Sequence, residues 1–80
     1  MLRAYLDAAM ARARFERLEG DAGYYGEIPG LDGLWASAPT LDGCRDELAS
    51  ALEDWVMTGL QLGHDLPAVD GLKLNTPRIA

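Results

Sequence analysis

The chain has 80 residues, of which 49% are hydrophobic and 25% are charged, so its composition predicts one ordered domain and argues against intrinsic disorder. Its formal net charge is −6, because residues 18–72 hold eleven acidic side chains and one arginine. Such an acidic body repels phosphate backbones and favours a basic partner, which argues against direct nucleic acid binding by this chain.

The N-terminal segment predicts a short helix followed by a strand. Good helix formers with apolar residues at helical spacing predict a helix from Leu2 to Ala11 or Ala13. Residues 13–18 alternate weakly in polarity, and we expect them to form the first strand. Residues 19–23 then have the composition of a turn.

Two further strands are predicted before the main helix. They comprise residues 24–28 and 34–37, and a turn rich in proline and glycine joins them at 29–33. Alternation places Tyr25 on the opposite face of the second strand from Gly26. Gly26 has no side chain, so we expect another element to approach the sheet closely there.

A long amphipathic helix is predicted from Thr40 to about Leu62. Thr40 suits the N-cap, Gly63 suits the left-handed position after the last turn, and Pro67 cannot continue the helix. An apolar stripe that recurs every three or four residues is expected to pack on the strands. It consists of Leu41, Cys44, Leu48, Leu52, Trp55, Gly59 and Leu62.

The segments after this helix complete the predicted architecture. We expect a loop at 65–71, a brief edge strand at 72–74 and a loose tail at 75–80. The whole chain is therefore predicted to be a single α+β domain, with a short N-terminal helix (1–12) and then a β-β-β-α-β core (13–74). In this core the long helix covers one face of an antiparallel meander.

Three sequence features follow one another in a distinctive order. The run YGEIPGLDG at 25–33 joins a strand to a Pro-Gly turn, an amphipathic helix with early acidic residues opens at Thr40, and Leu66-Pro67 follows the helix. In this order and spacing the chain resembles the HicB antitoxin family, in particular its small single-domain members of the UPF0150 type.

The resemblance implies a β-β-β-α-β fold, described for the family as partial double-stranded-RNA-binding-like or ribonuclease-H-like. It also implies binding and inhibition of HicA, a small basic toxin that cleaves mRNA. The chain departs from many full-length members because it ends at Ala80 without their C-terminal DNA-binding domain. It also has Gly43 at a helical position where the family usually has an acidic or other helix-forming residue, and its N-terminal helix lies outside the common core.

The residues do not predict catalytic, cofactor or metal chemistry. His64 is the one histidine and follows the helix end, where an imidazolium interacts favourably with the helix dipole. Cys44 is the one cysteine, which excludes an internal disulfide, and on the apolar stripe it is expected to be a small buried hydrophobe. We therefore expect that the chain is not an enzyme and that it has no cofactor and no metal site.

Location is predicted from what the sequence lacks. No apolar run approaches the roughly 18 residues of a membrane-spanning helix, and the N-terminus has no continuous apolar segment of a secretory signal. We therefore expect no membrane association and a cytoplasmic location.

The aromatic residues mark the candidate binding surface. Trp55 is predicted to lie in the core, whereas Tyr25 and Trp35 are expected to face away from the long helix. Together with Glu27 and Asp32 they are the predicted partner-binding residues, since exposed tyrosine and tryptophan are typical binding anchors. Alternatively, these rings pack beneath the N-terminal helix or in a homo-oligomer interface.

Two functions follow from these predictions. The leading hypothesis is an antitoxin-like protein-binding domain whose acidic surface engages a small basic HicA-like toxin. The alternative is a stand-alone structural or regulatory oligomer without a toxin, and under either hypothesis a homo-dimer or tetramer is expected. RNA binding through the four arginines of residues 3–17 is a third hypothesis with only this small basic patch in its favour.

Overall fold

The computed structural model describes residues 2–72 and 74, which contain two helices and three strands. The elements in chain order are α1 (Leu2–Ala11), β1 (Arg14–Arg17), β2 (Tyr24–Glu27), β3 (Trp35–Ala38) and α2 (Leu41–Gln61). The strands form one antiparallel sheet in the order β1-β2-β3. This arrangement confirms the predicted α+β class.

One face of the sheet packs against α2, mainly through β2 and β3. Phe15, Gly26 and Ala36 form a row across the three strands on this face. A Cβ on Gly26 would lie 2.8 Å from two ring carbons of Phe15 and 3.3 Å from the Cys44 sulfur. The ring and the thiol therefore fill the space over the glycine, and the predicted close approach at Gly26 is confirmed.

The ends of α2 have the predicted capping residues. The Thr40 side chain accepts a hydrogen bond from the backbone N–H of Gly43 at 3.0 Å, which is the N-cap interaction. At the other end Gly63 adopts a φ of 72°, and the N–H of His64 donates to the carbonyl of Gly59 at 2.8 Å. This geometry is a Schellman motif, so the predicted glycine stop is confirmed.

The buried face of α2 differs from the predicted stripe. Its buried residues are Cys44, Leu48, Leu52, Val56 and Gly59. Trp55, predicted to lie in the core, is only half-buried, and Leu41 and Leu62 are 40% and 64% exposed. The four-residue spacing that starts at Cys44 leads to Val56 instead of Trp55. A 21-residue helix is also about 31 Å long, roughly twice the length of a four-residue strand, so its ends extend past the sheet.

The prediction of an edge strand at 72–74 is wrong for Leu72 and Leu74, the described residues of that segment. Asp70 and Gly71 have φ values of 49° and 78°, which turn the chain back on itself at once. Leu72 therefore forms an isolated bridge with Val69 and does not join the sheet. Lys73 and the tail predicted at 75–80 lie outside the described residues.

α1 packs against α2, and its first turns are fixed by one tyrosine. Tyr5 is fully buried, and its hydroxyl donates to the carbonyl oxygen of Pro67 at 2.6 Å. Leu6 and Ala9 on the same side of the helix are also buried in the core. Of the helices in the described part of the chain, neither is long and apolar enough to cross a bilayer.

Candidate functional site

The face of the sheet opposite α2 is the candidate binding surface, and we refer to it as the outer face. Strand alternation assigns to it six residues, two from each strand. They are Arg14, Glu16, Tyr25, Glu27, Trp35 and Ser37. Five of the six are exposed and Tyr25 is half-buried, because neither described helix covers this side. Tyr25 and Trp35 thus face away from α2, as predicted.

An aromatic pair lies at the centre of the outer face. The rings of Tyr25 and Trp35 stack across β2 and β3, with centroids 6.1 Å apart and planes inclined by 22°. Trp35 keeps 57% of its surface exposed in this arrangement. Stacking restricts both rings before any partner arrives, so binding to them would require little further loss of rotamer freedom.

A carboxylate holds the tyrosine in place. The Tyr25 hydroxyl donates a hydrogen bond to Oε1 of Glu27 at 3.0 Å. This bond favours the neutral phenol and is the main reason that the pKa of Tyr25 is raised; partial burial and the negative charges of Glu27 and Glu16 act in the same direction. The outer face therefore presents an oriented carboxylate beside an aromatic surface.

All four predicted partner-binding residues line one hollow. A depression of about 180 Å³ is bordered by Tyr25, Glu27 and Trp35 from the strands and by Asp32 from the turn between β2 and β3. The turn brings Asp32 back beside the strands because Gly30, at a φ of 90°, adopts a backbone conformation that favours glycine. The structure thus assembles the residues that the sequence suggested.

Sequence reasoning missed the contribution of β1 to this surface. Arg14 lies directly opposite Glu27, and Glu16 lies opposite Tyr25, in the pairing of β1 with β2. The alternation of residues 13–18 could have indicated which side chains of β1 face outward. The weak β propensity of this segment gave no register against β2. The outer face therefore has one cation near its acidic groups, beside the rings that form its centre.

Within residues 2–72 and 74 there is no cluster of three or more His, Cys, Asp or Glu side chains that could hold a metal ion. Cys44 is fully buried, its thiol donates to the carbonyl of Ala36 at 3.6 Å, and burial raises its pKa. The prediction that Cys44 is a buried small hydrophobe is confirmed.

These features define a class: a small α+β domain with a helix on one face of a three-stranded sheet and an aromatic, partly acidic surface on the other. The chain belongs to the UPF0150-like family, whose family model matches residues 4–67 and whose function is unknown.

One solved structure supports the same fold. The crystal structure of TTHA0281 from Thermus thermophilus is similar to this chain, with 42% sequence identity and a TM-score of 0.89. The match covers 96% of this chain and 95% of that one, so the likeness extends over both proteins almost entirely. No curated protein matches this sequence.

Proposed function

We propose that this protein is an antitoxin-like binding domain of a type II toxin–antitoxin system, which neutralises a small basic HicA-type mRNA-cleaving toxin by direct contact. The observation that supports the proposal is the hollow on the outer face. There the stacked Tyr25–Trp35 pair stands beside the carboxylates of Glu27 and Asp32.

The chemistry of the outer face suits a partner protein that itself binds RNA. A ribonuclease holds phosphates with cationic side chains, and carboxylates compete for those same groups through charge-assisted hydrogen bonds. The surrounding acidic chain, with a net charge of −6, attracts a basic partner and accelerates the encounter. Aromatic rings at the centre of such a contact supply the apolar area that makes the complex persist.

The size of the outer face limits how the partner sits. Three strands of four residues cover a projected area of only about 200 Å², whereas a stable interface buries roughly 800 Å² on each partner. A neutralising partner would therefore have to contact more than the sheet, and the exposed Asp32 supports a contact that includes the neighbouring turn.

The experiment mixes the full chain with the product of a neighbouring reading frame that encodes a short basic protein, and the proposal requires that such a frame exists. We expect the mixture to lose mRNA cleavage, and Trp35→Ala to weaken binding more than tenfold, the range of an aromatic hot spot. Leu62→Ala is the matched control, since Leu62 is 64% exposed at the far end of α2. A neighbour that the wild-type chain neither binds nor inhibits would contradict the proposal, as would equal effects of the two substitutions.

The alternative function is a stand-alone structural or regulatory oligomer without a toxin. It is favoured by the sheet edges, because neither β1 nor β3 has a second strand partner among the described residues. Sedimentation would then give a stable dimer or tetramer, and substitution of Trp35 would dissociate it.

A further inference from the structure

The outer edge of β3 exposes backbone groups that a further strand could bind. The N–H of Leu18 donates to the carbonyl of Gly23 at 2.8 Å, which fixes the phase of the ladder between β1 and β2. Hydrogen-bonded pairs alternate along such a ladder, so the backbone groups of Gly26 turn towards β3. By the same alternation, the backbone groups of Trp35 and Ser37 turn away from β2, towards the open edge.

A groove runs along this edge, and we refer to it as the edge groove. It has a volume of about 750 Å³ and lies between the start of β3, the C-terminal half of α2 and the loop at 64–67. Trp35 and Trp55 both line it, and the buried side chains of Leu34 and Leu66 form part of its apolar lining. Its volume lies within the range of sites that accept a large side chain or a small ligand.

The charge of the edge groove selects a cation. Its titratable lining residues are Asp54, His64 and Asp65, and none of the described residues that line it is a lysine or an arginine. Asp54 is exposed and makes no ion pair within residues 2–72 and 74. A guanidinium group stacks on tryptophan faces and binds carboxylates through two hydrogen bonds, so it matches this combination of groups.

We propose that the edge of β3 binds an extended segment of a basic protein as an added strand, with one arginine side chain in the edge groove. The backbone of Trp35 and Ser37 supplies the hydrogen bonds, Trp35 and Trp55 contact the arginine, and Asp54 pairs with its guanidinium group. A second copy that pairs its own β3 with this edge is a poorer occupant, because Trp35–Ala38 holds no cation that could enter the edge groove. The edge groove shares Trp35 with the outer face, but the proposal does not require that a toxin exists.

The test titrates the full chain with a capped nine-residue peptide of alternating threonine and valine that has one central arginine. The backbone amides of β3 and the indole N–H signals of Trp35 and Trp55 are followed by NMR. We expect saturable shifts at these positions, and at least tenfold weaker binding when glutamate replaces the central arginine. N-methylation of the alternate peptide residues that face β3 is expected to abolish binding, whereas methylation of the intervening residues is not.

Two charge-neutralising variants separate the edge groove from general acidity. Asp54→Asn is expected to weaken binding of the arginine peptide about tenfold. Glu53→Gln is the matched control, because Glu53 is adjacent on α2 but lines a different hollow with Leu6 and Met57, and it should bind as wild type.

Several outcomes would overturn the inference. They are an absence of saturable shifts at millimolar peptide, equal affinity for the arginine and glutamate peptides, and equal effects of the two variants. Self-association through β3 that excludes the peptide would assign the edge to a second copy and would also reject the proposal. None of these results bears on the outer face, which is tested by toxin inhibition.

Discussion

Replacing Gly26 by alanine tests whether the ring of Phe15 holds the middle of the sheet at a close distance. The added Cβ would lie 2.8 Å from Cδ1 and Cε1 of Phe15, closer than real Cβ contacts come. The half-buried ring would have to shift, and this would disturb its contact with Arg45, whose guanidinium carbon lies 5.5 Å from the ring centroid. Gly26 has no positive φ, so its backbone would accept alanine without strain.

The two physical effects of this substitution have opposite signs. Alanine restricts the unfolded chain, which alone would stabilise the fold by about 0.4–1 kcal/mol. Overpacking against the Phe15 ring destabilises the fold by about 1–3 kcal/mol. The structure makes the second effect the larger one, so Gly26→Ala is expected to lower the free energy of unfolding by about 1–2 kcal/mol.

The assay is urea unfolding of four proteins: wild type, Gly26→Ala, Phe15→Ala and the double variant. Without the ring, the remaining close contact is the Cys44 sulfur at 3.3 Å, and the second substitution should be near neutral or stabilising. We therefore expect a coupling energy of about 1–3 kcal/mol between the two positions. If Gly26→Ala destabilises equally with and without Phe15, the contact is not the cause and the reasoning fails.

Three further predictions concern single hydrogen bonds. Thr40→Ala removes the N-cap acceptor of α2 and should destabilise the protein by about 1 kcal/mol in thermal or urea unfolding, whereas Thr40→Ser should not. Tyr5→Phe leaves the Pro67 carbonyl without its 2.6 Å donor and should cost about 0.5–1.5 kcal/mol; an unchanged midpoint would contradict the bond. Because the pKa of Tyr25 is raised in the folded protein, its bond to Glu27 stabilises the fold at pH values below the pKa of the unfolded chain. This contribution is lost as the pH rises through the pKa of Tyr25 in the folded protein. Glu27→Gln should lower that pKa in an ultraviolet titration of the phenol, and a pKa unchanged by the substitution would exclude the bond as its main cause.

The parts of the fold that local chemistry determines were predictable from the sequence. Thr40 and Gly63 mark the ends of α2 because capping depends on residues within one turn of each end. The outward direction of Tyr25 and Trp35 followed from strand alternation. Their stacking did not follow, because it depends on which residues of β2 and β3 lie beside each other.

The errors arose where tertiary contacts choose between similar local options. Trp55 and Val56 are neighbours on α2, and the apolar spacing alone did not show which one faces the sheet. The alternation of 72–74 looked like a strand, but the left-handed Asp70 and Gly71 return the chain to Val69 before it can reach the sheet. The edge groove was not predicted, because its lining comes from three segments that meet only in the folded chain.

The hydroxyl of Tyr5 and the carbonyl of Pro67 are separated by 62 positions along the chain. Closing a loop of that length carries an entropy cost of about 4 kcal/mol, several times what one hydrogen bond returns. The bond can therefore persist only when the elements between these two residues are assembled and already hold them close together. Because Pro67 also lines the edge groove, the Tyr5 bond links the position of α1 to one wall of that groove, although no residue of α1 lines it.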